Sequence, residues 1–353
     1  VARALGVPRC ALALPRLARR FSAMVQQPSA ADHGVGAVGA HDQLLFVSQV
    51  LQKVAPALDG TQHKGQGGRV GILGGSADYT GAPFYAGSAA LRTGAELVYV
   101  FCATEAAVPL KCYSPELMVT PVYSGEGDAD AIFSAVNQVL PRLHALVVGC
   151  GLGRRPEVLR GAAKVVQAAR DLNIPVVIDA DGLVMVAENL PVVQGAASIV
   201  LTPNVMEYRR LCAAVGLASD GQPPTPPADA ARALSDALGG VVVCLKGATD
   251  GIASAHGSHL CGERGTPRRS GGLGDVLAGT LGAVAAWLQP APPDGVGRGG
   301  FRLHDAALAG CFIARRSCRH AFERSKRAMT APDVLEELGV VFEELCPAEP
   351  RQG

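Results

Sequence analysis

The sequence of 353 residues predicts an α/β fold in which helices cover both faces of a mostly parallel sheet. Short, almost continuously apolar segments alternate with segments of helical period, which is typical of strand–helix–strand units. Several of the apolar segments end in glycine, aspartate or asparagine. Because ligands of such folds bind where the parallel strands end, we expect functional residues there. These strand-end residues are Gly74, Gly75, Gly153, Asp179, Asp181, Asn204 and Lys246.

The predicted elements follow one another along most of the chain. Strands are expected at 68–76, 96–102, 144–153, 174–183, 197–204 and 239–249, with a hairpin near 252–260. Helices are expected at 81–95, 128–143, 156–173, 274–288 and 301–322. Segments rich in proline and glycine at 219–228 and 289–300 predict exposed loops that interrupt the domain without dividing it.

Composition limits the classes of partner. The formal net charge is +1, which argues against a general nucleic-acid binder and against a protein that binds acidic membranes. No segment reaches the roughly 20 apolar residues of a spanning helix. The ten cysteines are scattered and form no CxxC pair, so we expect buried free thiols rather than a disulfide framework or a zinc site.

The first 40 residues differ from the rest of the chain. Residues 1–24 contain five arginines and no acidic residue, and the first carboxylate is Asp32. This composition predicts a mitochondrial transit peptide, with a disordered basic leader as the alternative. A start at Met24 would leave the protein in the cytosol. The expected organisation is a leader at 1–40, one domain at 41–347 and a tail at 348–353.

The segment RRSGGLGD, residues 268–275, precedes an apolar helical run. Glycines ahead of a helix let the backbone approach an anion, and the first N–H groups of the helix have no partner within it. The segment therefore fits a phosphate-binding loop with Asp275 at its edge. Asp275 could equally be only the N-cap of the helix. The sequence contains neither a Walker A loop nor a strand-borne GxGxxG motif.

Four other segments each allow two interpretations. LKGATDG, residues 245–251, fits either a phosphate contact by Lys246 or a turn with a surface lysine. Asn204 and Glu207 fit a capping box, and both could also face hydrated Mg²⁺. Asp179 and Asp181 fit a pair of carboxylates on one face, although Asp181 could only cap a helix. HGSH, residues 256–259, fits a hairpin tip better than a metal site.

Taken together, the motifs resemble one known family. HKGQGGRVGILGGSADYTGAPFYAGSAALRTGA, SPELMV, VVGCGLGR, VVIDADGL, LTPNVMEYRRL, LKGATD and RRSGGLGD occur in this order. They resemble the eukaryotic branch of the ATP-dependent NAD(P)H-hydrate dehydratases, within the ribokinase-like superfamily, over residues 43–345. The resemblance implies a three-layer α/β/α sandwich. It also implies that the (6S) hydrate of NADH or NADPH is converted back to the reduced cofactor while ATP is split to ADP and phosphate.

The resemblance also implies roles for particular residues. Asp275 is expected as the catalytic base, with the backbone of Gly272 and Gly274 at the γ-phosphate. The residues expected to bind ATP are Lys246, Gly247, Ala248, Thr249, Asp250, Gly265, Thr266, Pro267, Arg268, Arg269, Ser270, Gly271, Gly272, Leu273 and Gly274. Those expected to bind the hydrate are Gly153, Asn204, Val205, Met206, Glu207, Tyr208, Arg209, Arg210 and Asp275.

The remaining expectations concern the cofactor, the partners and the departures from the family. Mg²⁺ is expected beside the phosphates, with Glu207 as a candidate ligand through water, and YTGAP (79–83) is expected to shape the nicotinamide end. Members of the family often self-associate, so a homo-oligomer is a further expectation. Two residues depart from the family's pattern: Cys150 stands where proline is common, and Leu273 where serine or alanine is common. Neither departure removes a donor or a charge, so we expect activity.

Three alternatives compete with this interpretation. A ribokinase-like kinase of a vitamin or sugar hydroxymethyl group would have the same catalytic loop, but YTGAP and SPELMV disfavour it. A non-catalytic nucleotide binder or the hydrate epimerase is disfavoured because RRSGGLGD, Lys246 and Asp275 are all present.

Overall fold

The computed structural model describes residues 40–58, 60, 63–124, 128–217, 226–289 and 297–348. The predicted leader, most of the two segments rich in proline and glycine, and nearly all of the predicted tail lie outside the described residues. None of the described helices combines the length and the apolar character needed to cross a bilayer.

A nine-stranded sheet forms the centre of the described chain, with strand order β3-β2-β1-β4-β5-β6-β7-β8-β9. Strands β1 to β7 are parallel, whereas β8 and β9 add an antiparallel hairpin at one edge. In register, Val70 of β1 lies opposite Val98 of β2 and Ala145 of β4. The strands are β1 Arg69–Leu73, β2 Leu97–Ala103, β3 Leu117–Tyr123, β4 Ala145–Val148, β5 Val176–Ile178, β6 Ile199–Leu201, β7 Val242–Leu245, β8 Asp250–Ser254 and β9 Gly257–Cys261. The prediction of a mostly parallel sheet is therefore confirmed.

Eleven α-helices lie in the described part of the chain. They are α1 Ala40–Val54, α2 Gly81–Thr93, α3 Thr104–Tyr113, α4 Ala129–Asn137, α5 Pro156–Asp171, α6 Asp181–Glu188, α7 Val205–Ala214, α8 Pro227–Ala237, α9 Leu273–Ala286, α10 Leu303–Ser325 and α11 Ala331–Leu345. Helices α1, α2, α9, α10 and α11 pack in one layer, and α4 to α7 pack in sequence in the other. The sheet between them is apolar on both faces, as parallel sheets are.

Helix α9 lies at the centre of its layer because it is apolar all round. Every residue from Val276 to Ala286 is buried, and the helix contacts α2, α10, α11 and strands β1, β4 and β5. Glycine allows the closest of these contacts, since a Cβ at Gly279 would lie 1.9 Å from the carbonyl oxygen of Ala86 in α2. The apolar run after RRSGGLGD thus fixes the start of α9 against the sheet.

Several elements differ from the prediction. The expected strand at 174–183 ends at Ile178, because Asp181 begins α6. The loop expected at 219–228 ends early: α8 begins at Pro227, a residue suited to the first turn of a helix, and Ala228 is buried. The prediction did not include α1, α3, β3, α6, α8 or α11. The hairpin near 252–260 is confirmed as β8 and β9, and six of the nine described cysteines are buried.

The strand-end residues lie on one edge of the sheet, as predicted. Strands β1, β4, β5, β6 and β7 are parallel, so the loops that follow them meet at the carboxyl edge. The loops after β4 and β5 come very close to each other at Gly149. This residue has a positive φ of 118°, and an added Cβ would lie 1.9 Å from the carbonyl oxygen of Asp179. Only glycine can occupy this position, and its absence of a side chain brings the loops after β4 and β5 together.

Packing of α9 against α2 predicts opposite effects for two glycine substitutions. Gly279→Ala should lower the free energy of unfolding by about 1–3 kcal/mol, because the new methyl group would meet the backbone of Ala86. Gly339→Ala in α11 should raise it by up to about 1 kcal/mol, because its Cβ finds only an ordinary contact at 3.7 Å and alanine favours helix. Denaturant unfolding measures both, and equal effects would contradict the packing described.

Candidate active site

A buried ion pair joins the ends of β5 and β7. Asp179 is 2% exposed, and its Oδ1 lies 2.6 Å from Nζ of Lys246. Oε2 of Glu207, from the first turn of α7, lies 3.9 Å from the same nitrogen. Burial by itself lowers the pKa of Lys246, but the carboxylates of Asp179 and Glu207 outweigh burial and raise it. Lys246 is therefore a fixed positive charge at the carboxyl edge of the sheet.

Asp275 reaches this pair from the start of α9. An oxygen of Asp275, an oxygen of Asp179 and Sγ of Cys150 all lie within 4.8 Å of one another. Burial and then the negative charge of Asp179 raise the pKa of Asp275 to about 7, against the opposing effects of Cys150 and Lys246. A carboxyl group with a pKa near neutrality can accept a proton from a substrate and release it again. This geometry suits a general base.

The glycines of RRSGGLGD bring the backbone up to the ion pair. Gly272, the residue before α9, adopts the left-handed region with φ of 90°, and an added Cβ would lie 2.8 Å from both Tyr85 and Ala331. A Cβ on Gly274 would lie 3.4 Å from Oδ2 of Asp179 and 3.6 Å from Nζ of Lys246. Because no side chain intervenes, the first N–H groups of α9 and the charge of Lys246 act on the same small volume. This arrangement can hold an anion such as a phosphate group.

The interpretation of Asp275 as the N-cap of this helix is wrong. Gly272 occupies the N-cap position and makes no side-chain cap, and Asp275 lies in the first turn, three residues further on. Gly272 supplies the turn through its conformation alone, and the carboxylate of Asp275 lies beside Cys150 and Asp179.

The start of α7 carries the capping box that the sequence allowed. Oδ1 of Asn204 accepts hydrogen bonds from the N–H groups of Met206 and Glu207 at 2.9 and 3.0 Å. Oε2 of Glu207 accepts one from the N–H of Asn204 at 2.8 Å. Burial raises the pKa of Glu207, while Lys246 opposes that effect. Glu207 thus combines a structural role with a position beside Lys246, and its role as a magnesium ligand stays a prediction.

The other members of the segment 204–210 differ in exposure. The side chain of Met206 is 65% exposed, whereas Tyr208 is 2% exposed and belongs to the core. Tyr208 was predicted to bind the hydrate, but its side chain is directed into the packing beneath α7 and presents no surface to a ligand. The helical period explains the difference, because Met206 and Tyr208 are two positions apart and at about 100° per residue face opposite sides of α7.

The two aspartates of VVIDADGL serve different partners. Oδ2 of Asp181 accepts a hydrogen bond from the N–H of Gly153 at 3.0 Å, and Oδ1 lies 2.8 Å from Nε of Arg154. Asp179 pairs with Lys246 instead. They therefore do not act as one pair of carboxylates: Asp181 fixes the loop of Gly153, and Asp179 belongs to the cluster with Lys246 and Asp275.

Arg315 of α10, for which the sequence predicted no role, holds the segment LKGATD in place. Asp250 is 5% exposed; its Oδ1 accepts from the N–H of Gly247 at 2.9 Å and lies 2.8 Å from Nη1 of Arg315. Arg315 also donates to the carbonyl oxygens of Gly247, Ala248 and Glu263. The carboxylate of Asp250 and the carbonyl groups of Gly247 and Ala248 therefore point toward Arg315, although Gly247 and Ala248 are themselves exposed residues. The sequence does hold a signal for this contact. Arg315 stands within the apolar run of α10, and an arginine is buried only when it has partners.

The two arginines before the glycine loop have different surroundings. Arg268 donates from Nε to the carbonyl oxygen of Met329 at 3.3 Å, and its N–H bonds to Oγ1 of Thr266 at 3.0 Å. Arg269 is exposed. Arg268 thus anchors the loop to the start of α11, and Arg269 is the arginine that a ligand can reach.

An aromatic cluster lies at the YTGAP end of the site. Phe84 contacts the rings of Tyr85 and Tyr113, with centroids 5.5 and 5.4 Å apart. The hydroxyls of Thr80 and Tyr113 lie 3.0 Å apart, and Tyr79 is 59% exposed. Since Tyr85 also lies beside Gly272, this cluster adjoins the glycine loop and offers a flat, partly exposed surface for a ring.

Comparison with solved structures defines the class. A ribokinase-like superfamily protein from Enterococcus faecalis superposes with a TM-score of 0.70 at 18% identity, over 91% of this chain and all of that one. The ADP/ATP-dependent NAD(P)H-hydrate dehydratase of Bacillus subtilis, co-crystallised with ATP/Mg²⁺, superposes with a TM-score of 0.64 at 18% identity, over 89% of this chain and all of that one. The protein therefore has the ribokinase-like three-layer α/β/α fold.

Comparison of sequences defines the family. A model of the NAD(P)H-hydrate dehydratases matches residues 70–339. The ATP-dependent (S)-NAD(P)H-hydrate dehydratase of Bos taurus is 43% identical over 303 residues, which cover 86% of this chain and 90% of the bovine protein. This chain belongs to the NAD(P)H-hydrate dehydratase family, and the resemblance drawn from the motifs is confirmed.

The clamp formed by Arg315 predicts a selective effect on nucleotide binding. Arg315→Lys keeps the charge but loses the forked set of hydrogen bonds, so the loop 246–250 should loosen and the KM for ATP should rise about tenfold. Arg316→Lys is the matched control: Arg316 is on the same helix but pairs with Glu263, so ATP should be little affected. Steady-state kinetics measures both, and an unchanged KM for ATP in Arg315→Lys would contradict the clamp.

Proposed function

We propose that this protein uses ATP to dehydrate the (6S) hydrate of NADH and NADPH, giving the reduced cofactor, ADP and phosphate. Membership of the family supports the reaction, and the site supplies the groups that the reaction requires. The observation that carries the proposal is Asp275, a carboxylate with a pKa of about 7 at the start of α9, beside Lys246 and the glycine loop. This is the arrangement that phosphorylation of a poorly acidic hydroxyl needs.

The chemical difficulty of the reaction is that hydroxide leaves a carbon atom poorly. In the first step, the oxygen of the ring hydroxyl attacks the γ-phosphorus of ATP while the bond to ADP breaks. The hydroxyl proton passes to the carboxylate of Asp275. In the second step, the C–O bond breaks, phosphate leaves, and a proton is lost from the adjacent ring carbon. The carbon–carbon double bond of the reduced nicotinamide is thereby restored.

The groups around Asp275 stabilise the charges of the transferred phosphoryl group. The N–H groups at the start of α9 point toward the volume next to Gly274, and Lys246 adds a fixed positive charge there. The pairing with Asp179 holds Lys246 in place. Positioning and electrostatic stabilisation dominate phosphoryl transfer, so a preorganised edge of this kind can supply much of the catalysis.

The donor set also fits a magnesium ion. Mg²⁺ prefers oxygen ligands and binds through one or two carboxylates together with phosphates and water. Glu207 offers a carboxylate beside Lys246. Among the described residues, its contacts with the N–H of Asn204 and with Nζ of Lys246 are both made by Oε2. We propose that Glu207 holds the ion through water. When bound, the ion neutralises the negative charge of the phosphates. The relative from Bacillus subtilis was crystallised with ATP/Mg²⁺, which supports the same choice of metal.

The departures from the family's pattern are compatible with this chemistry. Cys150 is fully buried, and its thiol faces Asp179 and Asp275. Burial raises the pKa of this thiol well above its usual value, so it stays protonated and adds no negative charge next to the base. Leu273 is the first residue of α9, where its backbone rather than its side chain contributes to the helix terminus.

The alternative, a kinase of a vitamin or sugar hydroxymethyl group, is set aside. The relative from Bos taurus, named an ATP-dependent (S)-NAD(P)H-hydrate dehydratase, matches 86% of the chain. The aromatic cluster around Phe84 and Tyr113 adds a surface on which a nicotinamide ring can stack. The segment YTGAP, which contributes Thr80 to this cluster, was one of the features that disfavoured the kinase in the sequence.

Purified protein mixed with hydrated NADH, ATP and Mg²⁺ should restore the absorbance of reduced nicotinamide, and the rate should depend on ATP.

Asp275→Asn should lower kcat about 100-fold or more, because general-base catalysis contributes at least this much, and it should still bind ATP. Asp128→Asn, which changes only the exposed cap of α4, should keep the wild-type rate. The absence of any ATP-dependent rise would overturn the dehydratase, and a wild-type rate in Asp275→Asn would overturn the base.

A further inference from the structure

Arg154 presents two open hydrogen-bond donors at the carboxyl edge of the sheet. It follows Gly153 in the loop after β4, and its side chain is 65% exposed. Its Nε donates to Oδ1 of Asp181 at 2.8 Å, which restrains the orientation of the guanidinium group. The two terminal nitrogens donate to no group of the described residues. They therefore form an oriented fork that faces solvent.

The carboxylate that holds Arg154 is largely withdrawn from solvent. The side chain of Asp181 is 12% exposed, and its second oxygen accepts the N–H of Gly153 at 3.0 Å. The hydrogen bond to Asp181 and then the charge of Asp181 raise the pKa of Arg154, so the guanidinium group keeps its charge. A ligand that approaches from solvent thus meets the fork of Arg154, while both oxygens of Asp181 are already in use.

Arg154 borders the candidate active site. After its partner in the ion pair, the groups whose charges act on it are those of Tyr79 and Glu207. The loop that carries Arg154 packs closely on Tyr79, because a Cβ added to Gly151 would lie 2.7 Å from Cβ of Tyr79. Glu207 stands beside Lys246. The guanidinium group is therefore near both the YTGAP end of the site and the start of α7.

The order of the strands divides this edge of the sheet into two parts. The pair of Asp179 and Lys246 joins the ends of β5 and β7, and the segments expected to bind ATP follow β7 and β9. Tyr79 and Arg154 follow β1 and β4, on the other side of the pair. A nucleotide whose phosphates lie at the glycine loop therefore leaves the part at β1 and β4 to the second substrate.

The second substrate of the proposed reaction carries a matching anion. Hydrated NADH and NADPH are dinucleotides, and their diphosphate is separated from the reacting ring by one ribose. The fork of an arginine fits pairs of phosphate oxygens, with two parallel hydrogen bonds. Helix α5 starts immediately after Arg154, and its N-cap residue, Arg155, makes no side-chain cap. The partial positive charge of this helix terminus adds to that of the guanidinium group.

A gain in folding stability does not explain this arrangement. An ion pair with an exposed member contributes little to stability, because water screens it. Asp181 also holds the loop through the N–H of Gly153, a contact that does not involve the side chain of Arg154. The pairing thus orients the arginine more than it stabilises the fold, and an oriented, exposed arginine suits a ligand.

We propose that Arg154 binds the diphosphate of the hydrated dinucleotide through its two terminal nitrogens, while Asp181 holds its Nε. The inference rests on the proposed function, because it assigns one part of that substrate to one part of the site. Arg154 thereby lets the protein recognise a whole dinucleotide rather than an isolated nicotinamide ring.

Steady-state kinetics of the full chain with the hydrates of NADH and NADPH tests this assignment. Arg154→Gln should raise the KM for both hydrates about tenfold or more, because hydrogen bonds to a charged group are lost. The KM for ATP and kcat should stay at the wild-type values, since Arg154 contacts neither ATP nor the reacting atoms. Arg154→Lys should raise the KM for the hydrates similarly, because its single amino group can serve either Asp181 or the diphosphate.

A matched control removes the arginine of another surface ion pair. Arg160 lies 2.9 Å from Glu157 on α5, and Arg160→Gln should change neither KM. A loss confined to the hydrate of NADPH would assign Arg154 to the 2′-phosphate, and a wild-type KM in Arg154→Lys would show that Arg154 acts only through Asp181. Either result would overturn the proposal.

Two further results separate this proposal from the function on which it rests. A wild-type protein that turns over the hydrates, together with an unchanged KM in Arg154→Gln, would overturn the role of Arg154 and leave the dehydratase intact. A wild-type protein without ATP-dependent turnover would overturn the proposed function, and the role of Arg154 with it.

Discussion

The ion pair between Asp179 and Lys246 is the interaction on which the candidate active site depends. It joins the ends of β5 and β7 across β6, and each charge is buried enough to need the other. Gly274 lies against both members of the pair, and Asp275 stands within 4.8 Å of the carboxylate of Asp179. Removal of either charge would leave the other unpaired beside Asp275. The pair therefore sets both the geometry of the loop and the charge that Asp275 experiences.

The fold brings this pair together with residues that are distant in sequence. Parallel strands deliver Asp179, Asn204 and Lys246 to one edge because each follows the end of its strand. Helix α9 brings Asp275 to the same edge because its apolar surface is buried on every side and its glycines allow close packing against α2. A rigid core thus positions a site that consists mainly of loops and helix starts.

Sequence patterns were sufficient for the features that depend on local chemistry. Apolar runs ending in polar residues identified the edge of the sheet, and the spacing of Asn204 and Glu207 identified a capping box that the structure contains. Features that depend on distant contacts were not predictable in this way. Arg315 binds a loop about 65 positions away along the chain, and Tyr208 is in the core because of the direction in which α7 packs. The continuous apolar pattern around Asp181 concealed the start of α6, since periodicity alone does not separate a short strand from a buried helix.

The most direct test of the account is the pKa of the Asp275 carboxyl group, measured by carbon NMR in protein labelled at aspartate. We predict a value of about 7 in the wild type. Asp179→Asn should lower it, because a neighbouring negative charge is removed, and Lys246→Met should raise it, because a positive charge is removed. A wild-type value near the ordinary 3.8 of an aspartate, unchanged by Asp179→Asn, would contradict the claim that this cluster makes Asp275 a base.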